Sequence, residues 1–151
     1  MRVASKLMVA GAVALGIVLP STASASSPVV THLFFDGSQS INTETGFSST
    51  SNVSYGSKAH HGPNVGKAMI ACTFLTDSTA RCSGSIVIYK KGTLTPDKSV
   101  SFADEVLSFR SPALVIVIQT FTGDWGAAHS GFVVVHSVSD TANNVELRLV
   151  Y

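Results

Sequence analysis

Short runs of β-branched, aliphatic and aromatic residues, separated by turn-forming clusters, recur along the chain from Val29 to its end. Val29 to Phe35 is the first, closed by Asp36-Gly37, a turn signal. Ser38 to Thr50 reads as polar and irregular, Ser51 to Tyr55 as a weak strand, and the Gly, His and Pro-containing stretch through Asn64 as a loop. Val65 to Leu75 and Ala80 to Tyr89 follow as the arms of a hairpin, and Lys90-Lys91-Gly92 turns the chain into Thr93 to Phe102. Leu114 to Phe121, with its Leu-Val-Ile-Val-Ile core, is the most apolar segment after the N-terminal region, and Phe132 to Val138 and Val145 to Tyr151 flank a loop from Ser139 to Asn144. Only Phe102 to Arg110 offers a helical turn. About eight short strands at hairpin spacing predict an all-β fold, either a sandwich or a closed antiparallel barrel.

The hairpin favours the barrel. Ala68, Ile70, Cys72 and Phe74 alternate onto one face while Met69, Ala71 and Leu75 take the other. A strand that is apolar on both faces suits a wall with a filled lumen inside and a loop or a second subunit outside. An eight-stranded barrel has room for packed side chains or for one small ligand.

The two cysteines, Cys72 and Cys82, lie on the arms of this hairpin, around the turn composition Thr76-Asp77-Ser78-Thr79. Folding the chain about Asp77 places them directly opposite each other, at a separation a disulfide can bridge. The competing readings are a reactive thiol at Cys72 or a metal-binding pair, and neither has flanking ligands.

Residues Met1 to Lys6 carry Arg2 and Lys6, Leu7 to Leu19 is an uncharged apolar run, and Ala23-Ser24-Ala25 supplies small residues, the three-part pattern of a cleaved secretory signal. The run is shorter than the roughly 20 residues that span a bilayer, so an anchor helix is disfavoured. Cleavage after Ala25 predicts an exported protein in an oxidising compartment, where a disulfide persists. Removing 25 of the 151 residues leaves 126, one domain covering residues 26–151. Losing Arg2 and Lys6 takes the formal charge from +1 to −1. At 13% charged residues with no basic cluster along the chain, neither nucleic acid nor, after cleavage, a membrane is an expected partner.

No G-x-S-x-G, P-loop or H-E-x-x-H motif is present, which removes support from motif-borne hydrolase, nucleotide and zinc-protease readings. His60-His61 would need His32 or a carboxylate to hold a metal and otherwise reads as solvated loop, so no metal and no other cofactor is expected. His129 is a candidate proton donor or a locally hydrogen-bonded loop residue. Asp104-Glu105 offers a carboxylate pair, with Glu105 a candidate acid or base and Arg110 a candidate counter-ion. Trp125, the only tryptophan, either plugs a barrel end or walls a ligand site.

The stretch Thr122-Gly123-Asp124-Trp125-Gly126-Ala127-Ala128-His129-Ser130-Gly131 resembles the Thr/Ser-Gly-x-aromatic-x-Gly-Ala-x-Gly segment of the allene oxide cyclase and dirigent barrel superfamily. Val65-Gly66 followed by Cys72, the turn Ser54-Tyr55-Gly56, and Val138-Ser139-Asp140-Thr141 with Leu147-x-Leu149 extend the likeness from about Ser51 to Leu149, towards the secreted actinobacterial branch. The resemblance implies an eight-stranded antiparallel barrel whose lumen takes a lipophilic, polyketide- or polyene-like substrate. It implies cofactor-independent cyclase or isomerase chemistry, dirigent-like guidance of radical coupling, or simple binding of a lipophilic ligand. It also implies that Cys72 faces inward, which puts Ile70, Phe74, Ile86 and Ile88 in the lumen with Cys72 and Cys82, and leaves room for a homo-oligomer. Plant cyclases of this type carry a glutamate on the first strand; here Val29 to Phe35 holds no acid and Asp36 is the nearest candidate. Ala127 and Ser130 stand where the family usually has glycines.

Overall fold

The computed structural model describes residues 26–151, so the secretory signal expected at residues 1–25 lies outside the described residues. The described chain is all-β. Its strands are β1 (Val29–Asn42), β2 (Gly46–Gly56), β3 (His61–Phe74), β4 (Thr79–Tyr89), β5 (Pro96–Ser108), β6 (Ala113–Ile118), β7 (Thr120–Thr122), β8 (Ser130–Ser139) and β9 (Ala142–Val150). They form one antiparallel sheet in the order β6-β8-β9-β1-β2-β3-β4-β5-β7. The two edge strands, β6 and β7, are consecutive in the chain and are separated only by Gln119. One stretch of backbone therefore pairs with β8 in its first part and with β5 in its second, and the sheet nearly closes into a barrel.

This division corrects the expected count from eight strands to nine. The apolar run Leu114 to Phe121 is one segment in sequence, but it changes partner at Gln119. Two further expectations are corrected by backbone geometry. Ser38 to Thr50 is not irregular: β1 and β2 continue through it, joined by a tight turn in which Thr43 N–H donates to the Gly46 carbonyl at 2.8 Å and Gly46 N–H to Thr43 Oγ1 at 3.1 Å. Both strands are polar there, so alternation carries no hydrophobic signal. Phe102 to Arg110 is not helical, since β5 runs through most of it. It carries a bulge at Asp104, where φ is +56° and the local N–H donates to Ser83 Oγ at 3.0 Å.

Side chains on alternate positions fill the interior. Leu33, Val53, Val100, Val145 and Leu147 are each at most 1% exposed, and burying an aliphatic side chain of this size stabilises the fold by roughly 1.5–3 kcal/mol. Cys72 faces Cys82 in the β3–β4 register, and the two form a disulfide with Cα atoms 4.1 Å apart. The pair lies in the same buried cluster as Ile86 and Ile88.

Candidate functional site in the barrel lumen

The two ends of the barrel are built differently. At one end a single 3-10 turn, Gly123–Trp125, buries the Trp125 indole, and Lys98 Nζ lies 5.3 Å from that ring centroid and 5.9 Å from the Tyr55 ring. Lys98 stands near the start of β5, whereas Phe109 follows directly after its end, so Phe109 belongs to the opposite rim. There Phe47 contacts both Phe109 and Phe74, with ring centroids 5.8 Å and 6.0 Å apart. Phe109 N–H donates to the Ser78 carbonyl at 2.9 Å, which ties this rim to the β3–β4 turn.

Between the Trp125 plug and the aromatic rim lies a cavity of about 290 Å³. Its walls are mainly apolar: Phe35, Ala68, Ile70, Ile86, Val100, Phe102, Ile116, Ile118 and Val133, with Phe47 and Phe109 towards the open rim. One wall differs. Ser38 and Ser40 on β1 and Ser49 and Ser51 on β2 all line the cavity and pair across the strands, Ser38 Oγ with Ser51 Oγ at 2.6 Å and Ser40 Oγ with Ser49 Oγ at 3.1 Å. Ser85 and Asn143 are the other polar groups on the lining, which contains no Asp, Glu, Lys, Arg or His.

The expected site residues divide accordingly. Ile70 and Ile86 line the cavity. Ile88 is buried but lies outside the lining. Phe74, expected inside, is instead 45% exposed at the rim, because the barrel wall ends there and the ring turns onto Phe47. Trp125 belongs to the buried core rather than to the cavity wall.

None of the three candidate catalytic groups lines the cavity. His129 is exposed, with its N–H donating to the Val150 carbonyl at 2.8 Å. Asp36 is exposed at the β1 bulge and accepts from Gly37 N–H at 2.7 Å. Glu105 accepts from Gln119 Nε2 at 2.9 Å across the barrel seam. Glu146 stands on the outer surface, on β9 between the buried Val145 and Leu147. The Arg148 guanidinium hydrogen-bonded to it holds its pKa below the ordinary value of 4.5.

The loop expected through Asn64 is already strand from His61, which pairs with Gly56; His61 stacks on Phe34 with centroids 4.6 Å apart, and its Nδ1 is 3.0 Å from the Gly62 carbonyl oxygen. Among the described residues no three His, Cys, Asp or Glu side chains converge as metal ligands would. The serine wall is the feature that sequence reasoning missed. Its only trace in the sequence is the alternation of serines in Ser38-Gln39-Ser40 and Ser49-Thr50-Ser51.

A second, open cleft lies at the plugged end, lined by Tyr55, Lys67, Lys90, Lys91, Leu94 and Lys98. Lys90 and Lys91 from the β4–β5 connection meet Lys67 of β3 and Lys98 of β5 there. Asp97 lies among them, and Lys67 Nζ donates to Asn52 Oδ1 at 2.6 Å. The sequence matches no protein-family model and no curated protein.

Proposed function

We propose that this chain is an exported barrel that holds a small lipophilic molecule in its lumen. The observation that carries the reading is the cavity itself, about 290 Å³, mostly apolar and free of ionisable side chains. Its size stands near the lower end of small-molecule sites, roughly 300–1,000 Å³. The disulfide is consistent with an oxidising compartment. The sequence likeness to allene oxide cyclase and dirigent barrels points the same way.

Cofactor-independent cyclisation or isomerisation is the catalytic form of the same proposal, and the serine pairs favour it. Without a titratable group on the lining, the lumen acts on a reaction by fixing the substrate's conformation and by aiming hydroxyl donors at an oxygen that gains charge. The test is binding of naphthalene, followed by its own fluorescence, to the wild type and to Ile86→Phe. Saturable binding by the wild type and its loss in the variant are expected. A wild type that binds no naphthalene overturns the reading.

A further inference from the structure

The serine wall restricts what this lumen takes, and the restriction rests on the lumen-binding reading above. A serine hydroxyl has one hydrogen to donate and two lone pairs to accept with. In the Ser40–Ser49 pair, Ser40 Oγ donates to Ser49 Oγ, so Ser49 keeps its own hydrogen. In the Ser38–Ser51 pair either hydroxyl can donate, and whichever accepts keeps its own. Two cross-strand pairs thus spend two hydrogens and leave two O–H donors on a wall of the cavity. Ser49 and Ser51 are two residues apart on one face of β2, a spacing of about 7 Å along an extended strand.

The remaining lining is uncharged. An ionised carboxylate brought into it would lose its hydration with no cation in exchange, at heavy cost. For scale, a dry apolar cavity of about 150 Å³ holds one benzene, and the lumen has nearly twice that room.

We propose that the lumen selects a neutral molecule of about bicyclic size carrying acceptor oxygens along one edge, hydroxyl, carbonyl or ether, which the Ser38–Ser51 and Ser40–Ser49 pairs bind from β1 and β2. Fatty acids and other anionic lipophiles of equal size are disfavoured, because the rest of the lining holds no cation to repay the lost hydration of their charge. The lumen is therefore a site for oxygenated neutral lipophiles, with the apolar edge of the ligand lying towards Ile86 and Ile116.

The experiment titrates the exported chain with three probes of one shape, naphthalene, 2,7-dihydroxynaphthalene and 2-naphthoate, following ligand fluorescence. The diol should bind at least about tenfold tighter than the naphthoate, given the cost of desolvating an unpaired charge. In the variant with Ser38, Ser40, Ser49 and Ser51 all replaced by Ala, which removes both pairs, the diol should weaken by about fivefold or more, the worth of one lost hydrogen bond, while naphthalene stays within about twofold. Unchanged naphthalene binding also shows that the variant is folded. Naphthoate binding as tightly as the diol, or a diol affinity untouched by removal of all four hydroxyls, overturns the inference while leaving the lumen reading intact. If no probe binds the wild type saturably, both fall.

Discussion

The Gln119 side chain pairs with the Ala103 backbone as a neighbouring strand would: its Oε1 accepts from Ala103 N–H at 3.1 Å and its Nε2 donates to the Ala103 carbonyl at 2.9 Å. Its own N–H donates to the Ser101 carbonyl at 2.9 Å. Gln119 sits where the chain leaves β8 as a partner and takes up β5, so a side-chain amide completes the ladder that the backbone interrupts. The same Nε2 holds Glu105, which removes that carboxylate from any role in the lumen.

Replacing Gln119 should loosen the seam. Gln119→Ala deletes the donor and the acceptor that serve Ala103, and at an exposed position this should cost about 1–2 kcal/mol. Gln119→Glu should be no better, because it loses the donor and sets a second carboxylate beside Glu105. Amide hydrogen exchange at Ala103 is the measurement: faster exchange there than on β1 and β2 is expected, and uniform protection across the sheet would show that the bridge is dispensable.

The disulfide closes a loop with a sequence separation of 10 between Cys72 and Cys82. On the chain-entropy account such a loop contributes about 2–3 kcal/mol by restricting the unfolded chain. Non-reduced protein should weigh two hydrogens less than the reduced chain, and its melting temperature should fall on reduction. Two alkylatable thiols in native protein would contradict the bond.

How far the sequence revealed this fold depended on where apolar alternation coincides with strand. The hairpin around Asp77 was legible down to the opposition of Cys72 and Cys82, because the two arms bury one face and the turn composition fixes their register. The β1–β2 hairpin was not, because Ser38, Ser40, Ser49 and Ser51 point inward and give no hydrophobic period. Its wall is also the polar part of the site, so the same silence hid the strands and the serine pairs. Gln119 was illegible for a different reason: a side chain that imitates backbone leaves no local pattern. Parity put Ile70 and Ile86 on the face of Cys72, and the resemblance put that face in the lumen, while Phe74, of the same parity, lies where the wall ends, and strand ends are not encoded by alternation.

On the outer surface Arg148 Nε donates to Glu146 Oε2 at 3.0 Å, and the guanidinium lies 5.7 Å from the Phe132 ring centroid. The folded state thus lowers the proton affinity of Glu146, chiefly through the hydrogen bond from Arg148. The stabilisation is present above the unfolded value near 4.5 and is lost as pH falls through the lower folded value. A partly exposed pair of this kind is worth about 1 kcal/mol at most. Glu146→Gln should therefore melt slightly below the wild type at pH 7 and converge with it as the pH falls through the folded value below 4.5, as read by thermal denaturation across pH. A constant gap at every pH would assign the effect to packing on Phe132 rather than to charge.

Gly123 opens the turn that sets Trp125 into the barrel end, and two independent constraints meet there. Its φ is +63°, a left-handed conformation that side chains disfavour, and a Cβ at this position would stand 2.2 Å from the Asp97 carbonyl oxygen. The obstacle is the backbone of β5, which cannot rotate away as a side chain would. Gly123→Ala should therefore displace the turn, withdraw the Trp125 plug and separate the indole from Lys98. Tryptophan fluorescence reports this directly, since the chain has one tryptophan. A red-shifted emission together with a lower melting temperature is expected, whereas Gly92→Ala, with a similar φ of +74° but open space around its Cβ, should leave the emission unchanged and cost only the conformational strain, roughly 1 kcal/mol. Equal behaviour of the two variants would mean that φ alone governs Gly123 and that the contact with β5 does not hold the plug in place.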